Sequence, residues 1–155
     1  MNEDIFDVLI YLFENYMDSE IDINADTHTL KTELKAAGFN SKNIIKAFEW
    51  LDTLSNQEEP NFKSNNNFRI FSASENQKLD ITCRDFIFFL QRQGILTAPT
   101  RELVIDRAMA IESKQVSIEE LQWVCLIVLL SQPDEELAIA HMENIIYQEE
   151  PAFLN

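Results

Sequence analysis

Two glycines, Gly38 and Gly94, in 155 residues leave this chain few ways to turn. Tight hairpins, bulges and phosphate-cradling loops all draw on the positive φ that glycine adopts without strain. A chain so poor in glycine is expected to run mostly as helix and to change direction at helix ends. Hydrophobic residues make up 46% of it, enough for a packed core and too many for a disordered chain. The length suits one domain or two very small ones.

Periodicity gives the helices. Ile5, Phe6, Leu9, Leu12, Phe13, Tyr16 and Met17 recur at i, i+3, i+4 spacing and predict a first helix over residues 3–17. Its other face carries Asp4, Asp7, Tyr11, Glu14 and Asp18. After an acidic loop over 19–26, Thr27 is placed to cap a second helix that stops at Gly38. Ser41 is placed to cap a third, over 42–54, with Ile44, Ala47, Phe48, Leu51 and Leu54 inward and Trp50 at the margin.

Residues 55–67 change character. Pro60 and the run Asn65-Asn66-Asn67 are breaker and turn signals. Phe62-Lys63 and Phe68-Arg69-Ile70-Phe71 flank the turn and predict one small β-hairpin. Ser74 is then placed to cap a fourth helix ending at Gly94, and Pro99-Thr100 to open a fifth ending near Ile111. Ser117-Ile118-Glu119-Glu120 reads as a capping box for a sixth, very apolar helix to Leu130. Pro133-Asp134-Glu135-Glu136 opens a seventh, to about residue 148. The expected fold is therefore all-α, about seven helices with one small hairpin. Residues 1–73 form a winged-helix-like unit (three helices, then a hairpin), and 74–155 a helical unit packed on it as one compact domain. The sixth helix should be the most buried element.

Charge narrows the function. Lys and Arg total 12 against 27 Asp and Glu, a formal net charge of −15. The excess lies at the two ends, −9 over residues 1–60 and −8 over 101–155, with +2 between them. Such a chain is repelled by nucleic acid and anionic membranes unless its charges are segregated, and it is expected to stay monomeric. The longest apolar run, Trp123–Leu130, has eight residues where a bilayer span needs about twenty. Met1-Asn2-Glu3-Asp4 is acidic where a secretory signal needs positive charge. Cys83 and Cys125 sit in apolar helical stretches and read as buried hydrophobes of a reducing compartment. The expected location is the cytoplasm.

Catalytic patterns are missing. The chain holds His28 and His141 alone, neither near a cysteine in sequence, so zinc-ligand spacing is absent. No nucleophile elbow, Walker or dinucleotide fingerprint occurs. Asp22-x-Asn24-x-Asp26 followed by Glu33 resembles calcium-loop spacing, but Thr27 stands where the loop needs glycine, and an ordinary acidic loop is the better reading. No metal, cofactor or catalytic residue is assigned. Two binding readings remain, beside an outlying one of a hydrolase with an acidic pocket. In the first, the stripe Asp4, Asp7, Tyr11, Glu14 and Asp18 meets a protein partner that is basic or DNA-associated, with Tyr11 as an aromatic anchor. In the second, the two helices joined at Gly38-Phe39-Asn40-Ser41 act as a helix-turn-helix. Lys31, Lys35, Lys42, Lys46, Lys63 and Arg69 would then face DNA phosphates, although the net charge and Glu49, Asp52, Glu58 and Glu59 oppose this. Arg84, Arg92, Arg101 and Arg107 read as braces for neighbouring acidic helices.

Several stretches, in order along the chain, resemble the Smg family of bacterial proteins: residues 5–16, Ala37-Gly38-Phe39, Phe68-Arg69-Ile70, residues 101–110, and Leu121-Gln122-Trp123-Val124. The resemblance implies a small cytoplasmic bacterial protein without an established activity or catalytic residues. It also implies an association with DNA processing through gene neighbourhood. The non-enzymatic adaptor or regulator is the reading it leaves in front.

Overall fold

Both glycines end helices in the same way. In the computed structural model, which describes residues 5–17, 27–56, 70–132 and 134–147, Gly38 has φ +104° and Gly94 φ +77°. At the first, the Phe39 amide donates to the Leu34 carbonyl and the Gly38 amide to that of Lys35, both at 3.1 Å. At the second, the Ile95 amide donates to Leu90 (2.9 Å) and the Gly94 amide to Gln91 (3.1 Å). This paired pattern satisfies the last carbonyls of a helix and needs a left-handed residue between them.

Eight α-helices lie among the described residues: α1 (Ile5–Leu12), α2 (Thr27–Ala36), α3 (Ser41–Asn56), α4 (Ala73–Lys78), α5 (Ile81–Arg92), α6 (Ala98–Met109), α7 (Ile118–Leu130) and α8 (Glu136–Tyr147). Helix α1 runs on as wider π-helical turns over Phe13–Met17, where Asn15 Nδ2 donates to the Tyr11 carbonyl at 2.9 Å. The chain divides into two compact units, Met1–Thr53 and Leu54–Asn155. In the first, α1 buries Phe6, Val8, Leu9 and Leu12, and α2 buries Leu30 and Leu34. Helix α3 buries Ile44, Ala47 and Trp50, so Trp50 is inside rather than at the margin. In the second unit, α7 packs against α5, α6 and α8. Seven of its residues are buried, no more than in α6, so it is not set apart as the most buried element; what distinguishes it is the unbroken run from Val124 through Leu129, all shielded from water.

The fold is all-α as expected, but the caps and one boundary differ. The helix expected over 74–94 is two helices. Ser72, not Ser74, caps α4: its hydroxyl accepts from the Glu75 amide (3.2 Å) while Glu75 Oε1 accepts from the Ser72 amide (2.8 Å). Leu79 then leaves the helical path (φ −106°, ψ 107°) with its side chain fully buried. Asp80 starts α5 by accepting from the Cys83 amide at 2.9 Å. Asn40 rather than Ser41 caps α3, its side-chain oxygen accepting from the Lys42 amide at 2.7 Å. Ser41 is the first residue of its helix, not its cap, and α2 begins at Thr27. Helix α6 is capped by Thr97, with Pro99 in its first turn. The Ser117–Glu120 capping box forms as read. Helix α8 starts at Glu136, after Asp134 turns the chain at φ 62°. Most of the expected hairpin lies outside the described residues. Its end, Ile70 and Phe71, is irregular backbone, and there is no strand among the described residues.

Lys78 fastens a loop that the sequence leaves open. Its ammonium donates to the Met109 carbonyl (2.8 Å) and to that of Ile111, at the end of α6. Its own carbonyl accepts from the Val116 amide at 3.0 Å. One turn on, Cys83 Sγ donates to the Val116 carbonyl at 3.3 Å. The segment between α6 and α7 is thus tied at both ends to the α4–α5 junction. Partial burial holds the Lys78 pKa below its ordinary value.

Both cysteines are free and buried. Burial, then the Asp80 carboxylate and more weakly that of Glu119, pushes the Cys83 thiol up to about 12. Complete burial raises Cys125 further, and the Cys83 thiol adds to it. These thiols are poor nucleophiles.

Two outcomes are expected. A methyl built on either glycine meets nothing within 4 Å. Gly38→Ala and Gly94→Ala should therefore cost only the left-handed backbone penalty, about 1–2 kcal/mol each, read by urea unfolding; a neutral result would contradict the capping argument. The thiols give a pH effect. An unfolded thiol ionises near pH ~8.5 while the folded ones stay protonated, so above that pH the unfolded state binds fewer protons. Stability should fall as pH rises, by up to about 1.4 kcal/mol per pH unit for each thiol. The slope between about pH 9 and 10 should be shallower in Cys83→Ala/Cys125→Ala than in the parent chain.

Candidate protein-contact surface

The acidic stripe begins with helix α1. Asp7 and Glu14 stand two turns apart and both are exposed. Tyr11, between them, is half-buried. Its ring meets that of Phe39 edge-on, with centroids 5.4 Å apart and planes at 70°. Tyr11 is thus part of the packing between α1 and the α2–α3 turn, and the expectation of a freely exposed anchor is corrected. The turn opens with the Schellman pair at Gly38, which delivers Phe39 to this position. The sequence carries the signal, an aromatic directly after the C′ glycine, a place that often packs back on its helix. Asp4 and Asp18 lie outside the described residues.

The lysines of α2 and α3 do not form one uniform patch. Lys35 and Lys42 are exposed, while Lys31 and Lys46 are half-buried. The Lys31 ammonium sits over the Phe48 ring, 5.4 Å from its centroid, a cation–π contact between the two helices. Lys31 therefore has a structural use. Glu33, Glu49 and Asp52 are exposed on the same two helices. Lys63 and Arg69 lie outside the described residues.

The arginines of α6 are more deeply placed than expected. Arg101 is 3% exposed and Arg107 6%. Arg101 Nε donates to Glu102 Oε2 at 2.9 Å, and Nη1 to Gln91 Oε1 on α5 at 3.2 Å. Arg107 donates through Nε (3.0 Å) and Nη2 (2.9 Å) to Asp106 Oδ2. Each has its sequence neighbour as one acidic partner, which offsets the cost of burying the cation. Arg84 Nε donates to the Leu79 carbonyl at 3.1 Å, and Arg92 is exposed.

Among the described residues there is no group of three or more His, Cys, Asp or Glu placed to hold a metal ion. His28 and His141 are both exposed, one in each unit. Asp22, Asn24 and Asp26 of the calcium-like loop lie outside the described residues, and Glu33 is exposed on α2. No helix among the described residues is long and apolar enough to cross a membrane. One surface feature escaped the sequence reading: Leu137 and Tyr147 on α8 are 73% and 55% exposed.

The model of the family described as "Protein of unknown function (DUF494)" matches residues 5–155. A protein from Methylococcus capsulatus, named Protein Smg homolog, is 50% identical over 155 residues, covering all of both chains. Proteins of the same name from Nitrosococcus oceani and Thioalkalivibrio sulfidiphilus are 46% identical (96% of each chain) and 40% identical (all of each chain). No solved structure matches the chain. With a family model covering nearly every residue and bacterial relatives alike along their whole length, the chain belongs to the Smg (DUF494) family.

Proposed function

We propose that this chain is a non-enzymatic adaptor or regulatory protein of the bacterial cytoplasm, acting by binding a basic or DNA-associated protein. The observation that carries the reading is the pair of exposed acids Asp7 and Glu14, two turns apart on α1 in a chain of net charge −15. A surface of this sign steers a basic partner and fixes its register more than it adds affinity. The Tyr11–Phe39 contact supports it by holding the helix that presents the acids. The buried, protonated thiols fit a binding protein better than a thiol enzyme.

A second reading is kept by one observation, the short turn between α2 and α3 with Lys35 and Lys42 exposed beside it. In this reading the first helices belong to a winged helix that uses its lysines on DNA phosphates. Its weakness is the carboxylates on the same helices.

The two readings separate on charge reversal. Asp7→Lys/Glu14→Lys leaves Tyr11 in place, so folding stability should change by no more than about 0.5 kcal/mol per site. Affinity capture from the native cell with quantitative mass spectrometry should then lose the main partner, with affinity down tenfold or more, about 1.4 kcal/mol. Undiminished capture by the folded variant would remove the α1 stripe as the contact. For the second reading, a DNA duplex should be shifted at micromolar protein in about 150 mM salt, and Lys42→Glu/Lys46→Glu should abolish the shift. That result would overturn the adaptor reading, since binding driven by phosphates must also weaken steeply with salt.

A further inference from the structure

Helix α8 has one face turned inward, with Ala138 and Met142 buried. Its outward face holds a regular stripe. Leu137, Ala140, Asn144 and Tyr147 are all exposed and follow one another at spacings of three, four and three residues. That is the repeat with which one helix seats another along a seam. The stripe is about 15 Å long, from the rise of a helix. Its two ends are the large apolar groups, Leu137 at 73% exposure and Tyr147 at 55%. The Tyr147 ring is braced edge-on by Trp123 of α7, with centroids 6.0 Å apart. Ala140 leaves room for a neighbouring helix to approach. Asn144 puts an amide at a seam position, where a single polar group sets register at some cost in affinity.

The charge beside the stripe has one sign. Exposed Glu136 and half-buried Glu143 flank it on one side, seven residues apart, next to Leu137 and Asn144. On the other side stands His141, exposed. No Lys or Arg occurs anywhere from Gln115 to Asn155, against eight acids. A second copy of this chain would bring one acidic segment against another with no Lys or Arg to neutralise either, which argues against self-association. An anionic lipid surface is repelled for the same reason. A helix with an apolar seam and flanking Lys or Arg complements both features at once.

We infer that the outward face of α8 is a docking seam for a basic amphipathic helix of a partner protein, with Leu137 and Tyr147 as its apolar anchors, Glu136 and Glu143 pairing with the partner's cations, and Asn144 setting register. This rests on the reading of the chain as a protein-binding adaptor but not on the α1 stripe. It adds a surface with anchoring groups of its own, of the type that carries binding energy at interfaces.

The test uses the full chain, isotope-labelled for NMR, and a synthetic helical peptide of Leu, Ala, Lys and a single Asn. Two of its lysines are placed to face the two glutamates, and the Asn to face Asn144. Saturable binding is expected at about 150 mM salt, with amide shifts gathered on residues 136–147 and on the Trp123 indole. Leu137→Gln should weaken it at least tenfold. Glu136→Lys/Glu143→Lys should do the same, and a peptide with Glu in place of the two facing lysines should restore binding to that variant. Amide shifts of α5, α6 and α7 that stay in place check that both variants keep the fold. Equal binding of a scrambled peptide of the same composition would overturn the inference, because net charge would then suffice. Shifts gathered on α1 would overturn it while leaving the α1 reading standing. Failure of the α1 charge reversal in the capture experiment leaves the α8 mapping untouched, since neither reversed residue lies on that helix. Concentration-dependent self-association lost in Leu137→Gln would put a second copy on the face. Uptake onto phosphatidylcholine vesicles lost in the same variant would put lipid there. Either result also overturns the inference.

Discussion

Burial of six consecutive α7 residues, Val124 to Leu129, decides how the second unit is built. A helix apolar on every side has no face to give to water, so other elements must surround it. Each aliphatic side chain removed from water contributes about 1.5–3 kcal/mol, a strong reason for α5, α6 and α8 to lie against it. The loop that leads into α7 has to end where the helix can enter this cover. Lys78 and Cys83 hold that loop through Met109, Ile111 and Val116. Lys78 acts at the carbonyl end of α6, where a cation is favoured by the helix dipole and unpaired oxygens need donors.

Helix existence was legible because apolar spacing repeats over many residues. The capping box at Ser117 and the glycine stops at Gly38 and Gly94 were legible because each motif has one chemical solution. The break between α4 and α5 was not. Across Leu79–Asp80 the apolar spacing continues without Gly or Pro, so periodicity gives one helix. The break comes from two bonds that compete with the helical ones: Asp80 takes the Cys83 amide, and the Lys78 carbonyl takes the Val116 amide from 38 residues further along the chain. The first could be suspected, since Asp is a favoured cap. The second is tertiary and has no local signature. Ser74 alone was read as a cap, yet Ser72 with Glu75 three residues on has the same pattern as Ser74 with Gln77, and nothing in the local sequence ranks one above the other.

The candidate site was legible in its charge and not in its packing. Asp7 and Glu14 are exposed as their spacing implies. Tyr11 shares their face in projection, yet its ring reaches sideways to Phe39. A helical wheel places side chains around an axis and takes no account of a neighbouring turn that approaches the face. Lys31 is a parallel case: counted as part of a basic patch, it is placed over Phe48 and helps join two helices. Arg101 and Arg107 read as braces for neighbouring helices, without any sign of their depth, because arginine is seldom fully buried. The signal for burial was their spacing among Leu103, Val104, Ile105 and Ala108, with an acid next to each.

A chain with 27 acids cannot specify a partner by acidity alone, since acids stand on every one of the described helices. In the proposed adaptor reading, net charge would oppose self-association and speed encounter with basic surfaces from any direction. Selection among such surfaces needs groups that lose water only when the right shape arrives. Most large apolar side chains among the described residues are already buried. The few left outside therefore carry more information about recognition than the many carboxylates do. On α1 the aromatic group is largely taken up by the fold, leaving charge. On α8 an apolar group remains at each end of a regular stripe, with one amide within it and acids along one side. If both surfaces act, they divide the work physically: the first draws a partner in at a rate that salt can lower, and the second determines how long it stays.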